Sequence, residues 1–75
     1  MNLDDKKFLR DLGFRIRERR VERQLTQAEL GEHCALHRTY IGSVERGERN
    51  VSILNLRQIA AVLHVPLAEL FAPSA

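Results

Sequence analysis

One cysteine, Cys34, is all the thiol this 75-residue chain carries, so no intrachain disulfide can form and a reducing cytosol is the natural setting. Cys34 itself reads as a small buried hydrophobe. No uninterrupted apolar run approaches the roughly eighteen residues that a membrane-spanning helix needs. Nor does a charged opening followed by an apolar stretch suggest secretion. The expectation is a cytoplasmic protein. Alternation of apolar and polar residues, the mark of strands, is missing, as are repeats, low-complexity tracts and linkers. Lysine is absent after Lys7, so every later basic residue is an arginine, the side chain that grips phosphates and guanine edges with two parallel hydrogen bonds.

What is present points to one small domain. With 44% apolar residues the chain can bury a single core, and its length leaves little room for a catalytic cleft. The net charge of +2 says little alone, but its distribution is uneven. Before Leu25 stand eight basic residues (Lys6, Lys7, Arg10, Arg15, Arg17, Arg19, Arg20, Arg23) against five acidic ones (Asp4, Asp5, Asp11, Glu18, Glu22). That surplus leans towards nucleic acid, although a solvated helix face is also arginine-rich.

The apolar spacing predicts five helices. The first runs from about Asp5 to Gln24, with Phe8 or Leu9, Leu12 and Ile16 inward and Gly13 a tolerated interruption. Thr26-Gln27-Ala28-Glu29 is a capping box, so a second helix starts there, with Leu30, Gly31 and Cys34 inward. Ala35-Leu36-His37 breaks the period. A third helix from about Arg38 to Arg46 turns Ile41 and Val44 inward, leaves Arg38, Thr39, Gly42, Ser43 and Arg46 facing out, and ends at Gly47. Ser52 can cap a fourth helix, whose Leu56, Ile59, Ala60 and Leu63 form a stripe at the helical period. Pro66 suits the first position of a fifth helix, Leu67 to Phe71, and Pro73 prevents much continuation. The fold class expected is all-α.

LTQAEL, the apolar positions Leu30, Ile41 and Val44, the run RTYIGSVERG and the later SILNLRQIAAVLHVPLAELF together resemble the helix-turn-helix family of phage repressors and Cro proteins. The resemblance covers Leu12 to Phe71 and implies a lambda-repressor-like domain across residues 1–75, with the helix-turn-helix at about 26–46. RTYIGSVERGERNVS is especially similar to the controller proteins of restriction-modification systems. Such a regulator takes double-stranded DNA with a palindromic operator, a second copy of itself and RNA polymerase as partners, and needs no cofactor or metal. Three departures from the pattern stand out. Ala35 replaces a frequent glycine at the turn, Gly31 a usual alanine, and Arg19 a frequent apolar residue.

A helix laid across the major groove needs short or bidentate polar side chains near its N-terminus. Arg38 suits O6 and N7 of a guanine, Thr39 a base edge or a thymine methyl, and Gly42 permits close approach, with Ser43 beside them on the same face; the bland alternative is a solvated helix face. The resemblance puts Gln27 opposite a phosphate. Tyr40 would reach a phosphate through its hydroxyl or pack on the first helix. Arg46, Arg49 and Asn50 would grip the flanking backbone, or serve only as exposed loop residues. Arg20 and Glu45 hold positions that form a salt bridge in related repressors, fixing orientation more than adding stability. Ile53, Val62, Val65, Leu67 and Phe71 are left over once the fourth helix has built the core, and form the expected dimer interface.

Other readings are weaker. His33, Cys34 and His37 would make a poor metal site, because the helix breaks between the histidines and no second ligand pair accompanies them. No nucleophile motif is recognisable, so an enzyme is not expected. The alternatives kept are a phage-type repressor, an antitoxin regulator, and a helical protein-interaction module that does not bind DNA.

Overall fold

The computed structural model describes residues 1–71 and is all-helical over them. The helix α1, Leu3–Glu22, is capped by Asn2, whose side chain accepts a hydrogen bond from Asp5 N at 2.8 Å. It begins earlier than the apolar spacing predicts because that cap lies upstream of the first buried residue. Its inward face is Leu9, Leu12, Gly13, Ile16 and Arg20, at spacings of three and four, while Phe8 points outward. The helix α2, Gln27–Cys34, follows the capping box: Glu29 N bonds Thr26 Oγ1 at 3.0 Å, and Thr26 N bonds Glu29 Oε1 at 2.8 Å. That backbone hydrogen bond from Thr26 is the main reason the Glu29 carboxyl sits below its ordinary pKa.

Between α2 and α3 (Arg38–Glu45) the chain turns at Ala35, whose φ of 56° lies in the left-handed region that disfavours residues with a Cβ. After α3, Gly47 reverses the chain at φ 76°, and α4, Ile53–Leu63, starts from Ser52, whose hydroxyl accepts from Asn55 N at 3.1 Å.

The fifth helix is not α-helical. Leu67–Leu70 is a single 3₁₀ turn with Phe71 in the turn beyond it, and Pro66 precedes it as the cap residue rather than opening it. Four residues cannot close more than the shorter i to i+3 bonds, seen here as Glu69 N to Pro66 O at 3.0 Å and Phe71 N to Ala68 O at 3.1 Å. The architecture is therefore four α-helices and a 3₁₀ turn; Pro73 lies outside the described residues. Arg15 fastens this turn to α1 by donating to Leu70 O at 3.2 Å. Arg19 is half-buried and joins the same junction, pairing with Glu22 at 3.2 Å and Glu69 at 3.7 Å. An arginine replaces an apolar side chain there without stranding its charge.

Leu12, Ile16, Leu30, Ile41, Val44, Ile59, Leu63 and Leu70 meet in one core contributed by every element. A Cβ at Gly13 would strike the carbonyl oxygens of Val44 and Glu45, so the residue that interrupts α1 is the one that lets the end of α3 lie against it.

Candidate nucleic-acid interface

At the end of α3 the Glu45 side chain is only 3% exposed and receives three hydrogen bonds. Arg20 of α1 delivers two, Nε to Oε2 at 2.7 Å and Nη2 to Oε1 at 3.0 Å, and its Nη1 donates to Leu25 O at 2.8 Å. Gln27, the first residue of α2, gives the third from Nε2 to Oε1 at 3.0 Å. One carboxylate thus joins three helices, and its charge is matched by a guanidinium that is itself nearly buried.

A carboxylate only accepts, so the Gln27 amide has to turn its nitrogen to Glu45 and its oxygen outward. That oxygen lies over Gly42, where an added Cβ would stand 3.3 Å from it and 3.2 Å from Arg46 Nη1. Gly42 is buried beneath these two side chains, which corrects the outward placement expected of it. A Cβ there would require the ends of the Gln27 and Arg46 side chains to give by a few tenths of an ångström. Gln27, Arg38, Thr39, Gly42 and Arg46 line one concave patch, with Arg38 and Thr39 exposed at its rim.

Ser43 is also corrected. It is 7% exposed, its hydroxyl donates to Tyr40 O at 2.7 Å, and it accepts from Arg49 Nε at 3.1 Å. In this arrangement Ser43 holds Arg49 and offers no outward donor. Arg49 in turn lies over the Tyr40 ring, 5.6 Å from its centroid. Tyr40 packs on the core, and its hydroxyl takes a hydrogen bond from Asn55 Nδ2 of α4 at 3.2 Å, so its partner is α4 rather than α1. Asn50 is exposed but sits beside Met1, Asp5 and Phe8, away from the concave patch.

Arg46 is exposed and pairs with Glu48 through Nε to Oε2 at 3.0 Å and Nη2 to Oε1 at 3.1 Å. The hydrogen bond between them lowers the Glu48 pKa and raises that of Arg46. A phosphate approaching Arg46 has Glu48 as its competitor. His37, Gln27's bond to Glu45 and the burial of Ser43 were not anticipated from sequence. His37 caps α3, with Thr39 N donating to its Nδ1 at 3.0 Å, although histidine is not among the residues that usually cap helices.

The expected dimer residues divide. Ile53 is 58% exposed and Phe71 37%, whereas Val62, Val65 and Leu67 are half-buried against the core. Phe71 stacks on Phe8 with ring centroids 6.1 Å apart, and Leu54 is 66% exposed beside Ile53. Neither Phe8 nor Leu54 was expected on this surface. No helix of the described residues is long and apolar enough to cross a membrane.

The family model described as helix-turn-helix matches residues 16–70. The control protein C.MunI of a Mycoplasma species is 42% identical over 60 residues, which span 79% of this chain and 81% of that protein. Among solved structures, the restriction-modification controller protein C.AhdI from Aeromonas hydrophila aligns with a TM-score of 0.86 at 41% identity, covering 91% of this chain and 99% of that one. SinR, the master regulator for biofilm formation, solved in complex with DNA, aligns at a TM-score of 0.77 and 34% identity, covering 81% and 98%.

Proposed function

The chain belongs to the helix-turn-helix family of DNA-binding transcriptional regulators, and from that premise we propose that it is a homodimeric controller of a restriction-modification operon that also regulates its own gene. The observation that carries the reading is the concave patch formed by Gln27 of α2 with Arg38, Thr39, Gly42 and Arg46 along and just beyond α3, whose C-terminal end is fixed by the buried Arg20–Glu45 pair. In this reading α3 enters the major groove. Arg38 takes the O6 and N7 of a guanine, Thr39 reads a neighbouring base, and Gly42 leaves room for Gln27 and Arg46 to lie across the helix. Gln27 reaches a phosphate with its backbone amide and the one side-chain N–H that Glu45 leaves free. Arg46 and Arg49 hold the backbone beyond the helix, Arg46 by exchanging Glu48 for a phosphate.

Ile53, Leu54, Phe8 and Phe71 supply exposed apolar area that pairing of two chains would cover, together with the edges of Val62, Val65 and Leu67. A two-fold axis there would set two copies of α3 about 34 Å apart, one turn of DNA. Footprinting on the DNA upstream of this chain's own gene tests the reading: two protected half-sites, one helical turn apart and occupied by a dimer, are expected. In vitro transcription with purified RNA polymerase then shows whether occupancy activates or represses. A chain that sediments only as monomer and protects no upstream sequence would overturn the proposal.

A further inference from the structure

His37 fills a position where serine, threonine, aspartate or asparagine usually offers an oxygen to an orphan amide. Here the acceptor is a ring nitrogen: His37 Nδ1 lies 3.0 Å from Thr39 N and 2.7 Å from Thr39 Oγ1. Taken together, the two contacts fix hydrogen positions that neither fixes alone. A backbone N–H can only donate, so Nδ1 carries its lone pair and the ring proton is on Nε2. The hydroxyl facing the same Nδ1 then has to donate as well, because two lone pairs at 2.7 Å would repel. Thr39's single O–H is thereby turned back towards His37, and its oxygen shows only lone pairs to the outside.

We infer that His37 is a positioning residue that sets which bases Thr39 reads; the inference rests on α3 being the helix that enters the major groove. With His37 neutral, Thr39 Oγ1 is an acceptor and selects the exocyclic amines of adenine or cytosine, while the O6 of guanine and O4 of thymine meet it lone pair to lone pair. Protonation of His37 reverses the pattern. Nδ1–H then donates to Oγ1, the hydroxyl proton swings outward, and guanine or thymine becomes the better partner. The same protonation removes the acceptor for Thr39 N and sets a positive charge at the start of α3, against the helix dipole. The charged and titratable residues nearest in sequence are Arg38, next on α3, and Glu32 and His33 in the last turn of α2; among the described residues the hydrogen bonds made by the His37 ring go only to Thr39.

Selection of duplexes from a fully randomised library by the full chain, at about pH 8 and about pH 5.5, spans the range in which imidazoles gain a proton. At the base pair under Thr39 the wild-type chain should enrich adenine or cytosine at the higher pH. At the lower pH that preference should fall by roughly fivefold or more, the low end of what one wrong base pair costs. His37→Asn keeps an accepting cap oxygen that does not titrate, so its preference should be the same at both pH values. An unchanged wild-type preference, or an equal shift in the asparagine variant, overturns the inference while the selected operator still upholds DNA reading by α3. Selection that enriches no sequence overturns both. A second measurement needs no DNA: the imidazole nitrogen spectrum of the free chain should show neutral His37 protonated on Nε2, and protonation on Nδ1 would overturn the inference.

Discussion

At its C-terminal end α3 is enclosed: Glu45 takes three hydrogen bonds from α1 and α2, and the backbone beside it rests on Gly13. Seven residues earlier Arg38 and Thr39 are exposed, and the His37 ring bonds Thr39. The buried end works in a low dielectric, where a bidentate ion pair is strong but costly to desolvate, so its yield is orientation more than net stability. The exposed end leaves the Arg38 and Thr39 side chains accessible to solvent. A helix fastened at one end and open at the other presents its first turn at a defined angle without committing the side chains that read.

Breaking the fastened end should give the largest effect. Glu45→Ala strands the Arg20 guanidinium and frees Gln27, and should lower unfolding stability by roughly 3 to 5 kcal/mol in a urea titration. A loss under about 1 kcal/mol would mean the pair behaves as a surface salt bridge. At the open end Arg38→Ala should leave stability within about 0.5 kcal/mol. Its cost should appear in binding, at roughly 1 to 3 kcal/mol on the operator with relaxed choice at one base pair. Equal losses on operator and random DNA would place Arg38 on a phosphate.

How much of this contrast is legible in the sequence depends on the range of the interactions. The capping box of Thr26 and Glu29, the Ser52 cap and the Gly47 reversal are each local, and each is present in the structure as the spacing predicts. Gln27's bond to Glu45 joins residues 18 apart and depends on how α2 packs on α3. Ser43 reads as outward because helical spacing counts only α3; it is Arg49, arriving from the loop beyond Gly47, that covers it. The last segment has apolar residues enough for a helix, yet only four residues form the turn, and spacing cannot separate one turn of α-helix from one of 3₁₀. Exposed Phe8 and Leu54 escaped notice because the choice between Phe8 and Leu9 as the inward residue is settled by packing.

Smaller effects sharpen the comparison at the turn that feeds the open end. Ala35→Gly removes a left-handed alanine at the cost of a more flexible unfolded chain, and should stabilise by about 0.5 to 1 kcal/mol, read as a higher Tm. An unchanged or lower Tm would show that the strain is already relieved elsewhere. Smallest is the capping box. The Glu29 carboxyl is held below its ordinary pKa, so its contribution is present above the unfolded value and fades as pH falls through the lower folded one. Glu29→Gln should therefore flatten the acid side of the stability profile and leave the slope near neutrality unchanged; a change confined to neutral pH would contradict that sign.

The central claim is that the buried carboxylate acts on DNA through orientation and not through its charge, and one number tests it: the ratio of operator to random-duplex affinity for Glu45→Ala, measured below its Tm. Removing a negative charge near phosphates would on electrostatics alone tighten binding, by a small amount at physiological salt. The account predicts the opposite for the operator, a ratio that collapses from the roughly thousandfold or more of a specific regulator towards one while random-duplex affinity holds. Tighter operator binding with unchanged stability would contradict it.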